Sequence, residues 1–156
     1  MECGLENVDI SGAKTVGDYA FVSNRKLAAL KLNEKGTDIG EGTFSYCDPL
    51  ATIENLSKSE NIGDYAFAYD AITEVDLTNA GTMGKNAFMK ETLTPFKVII
   101  GEDIEKIGDN PFAMCKVEAF SKTETEKEKG KEVEVTVYTF ELSDNALVID
   151  GSLYCK

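Results

Sequence analysis

The chain has 156 residues, 42% of them apolar and 28% charged, enough for a core in a single folded unit and too apolar for general disorder. Its formal net charge of -12 argues against nucleic acid and anionic bilayers as partners, because both require clustered Lys or Arg. The absence of His removes Ser-His and Cys-His nucleophile activation and every mixed Cys-His zinc site.

The first residues, Met1 to Leu5, carry neither the basic region nor the apolar stretch of a secretion signal, and no apolar run approaches the roughly 18 residues of a membrane helix. Cys3, Leu5, Val8 and Ile10 match the back half of a unit whose front half is missing, so the chain reads as a piece of something longer. Then a phrase begins that returns five times: Val16 Gly17 Asp18 Tyr19 Ala20 Phe21, Ile39 to Phe44, Ile62 Gly63 Asp64 Tyr65 Ala66 Phe67, Met83 to Phe88, and Ile107 to Phe112. Its phenylalanines are 23, 23, 21 and 24 residues apart, and a fixed period of this size is the mark of a stacked-repeat solenoid.

Between the phrases lies a second set of apolar columns: Leu27, Leu30 and Leu32; Leu50 and Ile53; Ile72, Val75 and Leu77; Leu93, Phe96 and Val98; Val117 and Phe120. Their alternation, as in Val75 Asp76 Leu77, predicts one short strand per repeat with one buried face, and stacked repeats make these a parallel sheet. The Gly phrase predicts the opposite side of the coil. Gly makes a tight turn into a helical turn, Asp18, Asp64 and Asp109 cap that turn, and Ala20, Ala66 and Ala87 keep it narrow. Phe21, Phe44, Phe67, Phe88 and Phe112 are the expected core spine. A small-residue column, Ala13, Gly36, Ser59 and Ala80, ends at Ile104, where the array is expected to change. In the second repeat Asn55 stands at an apolar position with Leu56 one step later, which predicts a slip or bulge at residues 53 to 56, since an unpaired buried amide is costly.

After Phe120 the period is lost. Ser121 to Glu132 is a Lys and Glu mixture that reads as a solvated loop; Val133, Val135 and Val137 then alternate with polar residues as a strand, and residues 146 to 154 read as two more strands joined by a turn. The domain reading is a solenoid over residues 1–120 and a loop with a β-hairpin cap, or the start of an interrupting segment, over 121–156.

The aligned unit resembles the BspA-like leucine-rich-repeat family, found in large surface proteins of bacteria and some protists. The Ile Gly Asp Tyr Ala Phe wording carries the resemblance over about residues 3 to 120, and Asp150 Gly151 Ser152 Leu153 Tyr154 looks like a segment that interrupts such arrays. The resemblance implies a right-handed coil, a non-enzymatic role, a place at the cell surface and, for some members, adhesion to host matrix proteins. The family's usual Pro after the strand is replaced by Ser11, Asn33, Thr78 or Gly101. The fold class expected is thus α/β: a right-handed leucine-rich-repeat solenoid with a parallel sheet on one face, short helical turns on the other and a C-terminal β cap.

No cofactor or metal is expected. The five glycines form a repeat column rather than a phosphate-binding cluster, residues 101 to 105 lack calcium-loop spacing, and no two carboxylates stand out as a catalytic pair. Cys3, Cys47 and Cys115 share a column two or more coils apart, beyond disulfide reach of one another, and Cys155 lies outside the array. The outward strand columns, Asn7, Ala29, Thr52, Glu74 and Pro95 in one and Asp9, Lys31, Glu54, Asp76 and Lys97 in the next, read first as a ladder of charges that support one another across the sheet and are the candidate binding face. A row of Tyr19, Tyr46, Tyr65 and Tyr69 beside the Phe corners is a second candidate surface. The function expected is binding or adhesion, to a protein or glycan ligand such as a host matrix protein, as a cell-surface or secreted part of a longer chain. The alternatives are a spacer that projects another domain and an intracellular protein-interaction module.

Overall fold

The computed structural model describes residues 4–92, 94–100, 105–120, 137–139, 146–149 and 152–155. In chain order its strands are β1 (Asn7–Asp9), β2 (Thr15–Val16), β3 (Ala29–Lys31), β4 (Asp38–Ile39), β5 (Thr52–Glu54), β6 (Asn61–Ile62), β7 (Glu74–Leu77), β8 (Thr82–Met83), β9 (Thr94–Ile100), β10 (Lys106–Ile107), β11 (Cys115–Phe120), β12 (Val137–Thr139), β13 (Ala146–Ile149) and β14 (Ser152–Cys155). Each coil gives one longer strand to one face and a two-residue strand to another. The two-residue strands form a five-stranded parallel sheet, β2-β4-β6-β8-β10. The longer ones form two sheets, β1-β3-β5 and β7-β9-β11, with β12 added antiparallel on β11. β13 and β14 form a separate antiparallel hairpin. The fold is a parallel-strand β-solenoid.

The expected helical turns are not there in the described corners. Among the described residues the single helical element is a 3-10 turn at Leu56–Lys58. The corner phrase is held instead by the coil above it: Tyr19 N–H donates to Glu41 O at 2.8 Å, Phe21 N–H to Thr43 O at 2.8 Å and Ser23 N–H to Ser45 O at 2.9 Å, and the same ladder recurs at Tyr65, Phe67 and Tyr69. Amides spent between coils cannot bond within a helix. The fourth residue of each phrase also enters the left-handed region, with φ between 49° and 55° at Tyr19, Gly42, Tyr65, Asn86 and Asn110, which breaks a helix after one turn. The capping role assigned to Asp changes accordingly. Asp18 Oδ1 accepts from Glu41 N–H at 2.8 Å and Asp64 Oδ1 from Lys85 N–H at 2.7 Å, so each caps the next coil rather than its own turn.

The glycine column is also explained by the neighbouring coil. A Cβ on Gly63 would lie 2.5 Å from the Gly40 carbonyl carbon, and one on Gly84 would lie 2.4 Å from the Asp64 nitrogen. Glycine is required there for close approach of backbones, not for the turn. Gly63→Ala is expected to push two coils apart at a cost of about 1–3 kcal/mol, the usual range for overpacking. Gly12→Ala, where nothing lies within 4 Å, is expected to be near neutral. Urea unfolding of the two variants side by side checks this.

Two departures from a uniform stack shape the outward face. At Asn55 the backbone turns left-handed (φ 69°), its Nδ2 donates to Leu32 O at 3.0 Å, and the 3-10 turn that follows buries Leu56. The amide thus bonds back to the β3 coil, and the sheet stops at β5, where this turn follows; β7 starts a new one. In the fourth repeat the register differs by two residues from the one expected. Val75 lies opposite Val98 and Leu77 opposite Ile100, so Glu74 faces Lys97 and Asp76 faces Ile99. Phe88 to Val98 is two residues longer than Phe67 to Val75, and Phe96 fills the extra length as a further core ring, tilted against Phe88 and Phe112 at 5.9 and 5.7 Å.

The core runs along the solenoid axis. Phe21, Phe44, Phe67, Phe88 and Phe112 stack ring on ring at 5.3, 5.3, 5.4 and 5.7 Å, with Phe21 half-buried on the outermost of these coils. Leucines, isoleucines and valines of the strands close around them. The solvated loop expected at Ser121 to Glu132, the strand residues Val133 and Val135, the column residues Leu93 and Ile104, and Cys3 lie outside the described residues.

Candidate functional site

The outward columns of the longer strands form the first candidate surface. Asn7, Ala29 and Thr52 lie in register, as do Asp9, Lys31 and Glu54. Lys31 Nζ stands 4.0 Å from Glu54 Oε2, and Lys97 Nζ stands 3.9 Å from Glu74 Oε2. All four side chains are about half exposed or more, so each pair contributes between zero and about 1 kcal/mol. The two outermost acids have a local task. Asp9 Oδ1 accepts from Ser11 N–H at 2.9 Å, which with the Ser11 hydroxyl holds its carboxyl below the usual range; Asp76 Oδ1 accepts from Thr78 N–H at 2.9 Å and from the Thr78 hydroxyl. Each closes an Asx turn at the end of its strand. Asp76 and Lys97, placed in one column by the spacing, are separated by the two-residue register difference. The face is therefore two patches, one on β1-β3-β5 and one on β7-β9-β11, with the Asn55 turn between them.

The tyrosines divide into two kinds. Tyr46 and Tyr69 occupy the same left-handed position on adjacent coils and stack at 4.5 Å, and the Tyr69 hydroxyl reaches Met89 Sδ at 3.5 Å. Tyr19 lies over Gly42, where a Cβ would touch its ring, and its hydroxyl bonds to Glu41, whose carboxylate raises the phenol's pKa. A third surface was not foreseen. The two-residue strands carry a polar ladder in which Thr82 Oγ1 donates to Asn61 Oδ1 at 2.8 Å and Asn61 Nδ2 donates to Asp38 Oδ1 at 2.9 Å. A shallow groove continues beside it, lined by Asp64, Lys85, Lys106 and Asp109. The signal was present as the polar residue before each phrase, Asp38, Asn61 and Thr82, at repeat spacing.

The residues with the most perturbed chemistry lie inside. Cys47 Sγ donates to Phe21 O and Cys115 Sγ to Phe88 O, both at 3.3 Å. Both are free thiols; burial pushes Cys47 up to about 11 and Cys115 up to about 12. A thiolate is the reactive form, so alkylation at about pH 8 is expected to leave these two unlabelled in the native protein and to label them in denaturant, as read by peptide mapping. Native labelling of either would remove it from the core. Asp70 and Lys90 form a buried ion pair between adjacent coils, with Lys90 also 3.2 Å from Asp70 O and 5.3 Å from the Phe96 ring centroid. Asp70 occupies the same column as Cys47; its Lys partner was not anticipated. Lys90 sits where other repeats have Ser23, Tyr46, Tyr69 and Met114 in left-handed backbone, and the 21-residue spacing from Phe67 to Phe88 marks the repeat that differs.

The profile of the BspA type leucine-rich repeat region matches residues 1–122 in six copies. The chain belongs to the BspA-type leucine-rich-repeat family. No curated protein and no solved structure matches it. BspA-type repeats are in general scaffolds for protein interaction or adhesion, and the repeat columns here correspond to that use: Gly, Phe and Leu build the coil while the side chains between them vary. Among the described residues of this BspA-type array, no group of three or more Cys, Asp or Glu is arranged to hold a metal ion, and no helix is long and apolar enough to cross a membrane.

Proposed function

We propose that this array is a binding or adhesion segment of a cell-surface or secreted protein and that its ligand, a protein or glycan such as a host matrix component, lies across the strand face carrying Asn7, Asp9, Lys31, Thr52, Glu54, Glu74, Asp76 and Lys97. The observation that carries the proposal is the register. Asn7, Ala29 and Thr52, and beside them Asp9, Lys31 and Glu54, stand at strand spacing on adjacent parallel strands, a regular polar surface that an extended partner can span. The strand β12 paired on β11 supports reading the C-terminal segment as a cap on the array.

The test swaps both ion pairs at once, Lys31→Glu with Glu54→Lys and Glu74→Lys with Lys97→Glu. Each pair survives, so the fold is expected to be unchanged, while the pattern presented to a ligand is reversed. On a biosensor surface carrying purified matrix proteins and glycans, affinity is expected to fall at least about tenfold. Undiminished binding by the swapped protein would remove the strand face from consideration. A second reading, a spacer that projects another domain, is favoured by the same two pairs, since a Lys and a Glu already facing each other have less charge to offer a partner. It predicts that neither protein binds anything on the surface.

A further inference from the structure

Asp70 and Lys90 are the charged side chains buried among the described residues, with side-chain exposures of 0% and 4%. As an ion pair they are poorly provided for. Both charges have left water, and Asp70 Oδ2 is buried without any hydrogen-bond partner. Asn24, Cys47 and Cys115, at the same place in other repeats, are neutral and satisfied by a carbonyl. The Lys90 amine touches Asp70 Oδ1 and is held in place by Asp70 O, with the Phe96 ring beside it.

We propose that Lys90 and Asp70 become joined by an intramolecular amide bond, Nζ to Cγ, after the chain has folded. The reacting forms are acid and amine, reached when the proton shared by the touching groups lies on the carboxylate, and burial already raises the Asp70 carboxyl to about 7. The amine lone pair then attacks Cγ. The new C–N bond replaces one C–O bond, and one amine proton leaves with the hydroxyl as water. No electrons are transferred and no co-reactant is needed. The rate advantage comes from two reactants held in contact, which is equivalent to a very high local concentration. The product removes both charges and one carboxyl oxygen, ending the need to satisfy Oδ2. The remaining carbonyl oxygen stays near Ile72 N–H, which donates to Oδ1 at 3.1 Å, and the amide N–H stays near Asp70 O. The bond would staple two successive coils at residues 20 apart in sequence, so that a pull on the chain ends could not open that coil.

Intact mass under denaturing conditions reads the result directly. The full chain, 17.0 kDa by sequence, is expected about 18 Da light, one water. Tryptic peptides 59–85 and 86–97 are expected to emerge as one branched species, uncleaved after Lys90. Lys90→Arg, which keeps the charge but forms no stable amide, and Asp70→Ala are each expected to restore the sequence mass. A wild-type protein at its full sequence mass overturns the proposal. So does a loss of one water that maps within a single peptide or persists in Lys90→Arg, because that is a cyclic imide elsewhere in the chain.

Discussion

Phe67→Ala is expected to lower stability by about 3–5 kcal/mol, the range for removing a buried aromatic side chain. Phe67 is fully buried and stacks on Phe44 at 5.3 Å and Phe88 at 5.4 Å, so the substitution removes two ring contacts and opens a cavity that the stacked backbones are poorly able to close. Because repeat proteins are stabilised by nearest-neighbour interfaces, the damage is expected to divide the array into two parts that unfold separately, broadening the urea transition and lowering its slope. Phe21→Ala, on a half-buried ring with one stacked neighbour, is expected to cost clearly less and to leave one transition. Circular dichroism through a urea titration distinguishes the two, and an unchanged midpoint in Phe67→Ala would contradict the spine.

Lys90→Met is expected to be comparably severe, about 3–5 kcal/mol, because it leaves the Asp70 carboxyl buried with no cation beside it. Adding Asp70→Cys, the residue found in that column at positions 47 and 115, is expected to recover most of the loss, so that the double variant is more stable than the single one. The single variant also has a pH signature. Burial raises the folded pKa of Asp70, Lys90 is the largest influence opposing that rise, and removing it leaves backbone N–H groups such as Ile72 as the remaining opposition. The unfolded chain loses its proton near the ordinary value of 3.8 while the folded one keeps it. Unfolding then releases a proton, so the contribution of Asp70 to stability falls as pH rises from about 4 through 7 and beyond. Melting curves of Lys90→Met at acidic and neutral pH, set against those of the double variant, isolate this slope. A Lys90→Met protein as stable as wild type at neutral pH would show that the pair is not buried as described.

Much of this architecture is written in the sequence because it is periodic. The Phe column, the strand columns and the interruption at Asn55 are each visible as a residue type at a fixed offset, and the physical demand is local to that offset. What a single repeat does not display is its neighbour. Gly63 looks like a turn residue until the Gly40 backbone is placed beside it, and Asp64 looks like a cap on its own helix until Lys85 N–H is seen to use it. The helical turns were expected for the same reason, since the amides that would have made them are committed across coils. Phe96 misled in another way. It is as apolar as Val75, so alignment by hydrophobicity set the strand two residues early, and the Glu74 and Lys97 pair was hidden until the register was known. Lys90 could be read as a surface residue by its type alone; its interior place depends on a coil two residues shorter than its predecessors.

The corner ladder makes the described seams alike on that side of the coil. Tyr19, Phe21 and Ser23 donate across one seam as Tyr65, Phe67 and Tyr69 donate across another, with the same donors and acceptors on each side. A coil added or deleted whole restores the joint it interrupts, and a coil that differs by two residues absorbs the difference between corners: beyond Phe96, Ile107 still pairs with Met83 and Phe112 still stacks on Phe88. On the corner side such a protein can alter its length in whole steps while keeping the same backbone joint. Reach is therefore the property that gene duplication can adjust first.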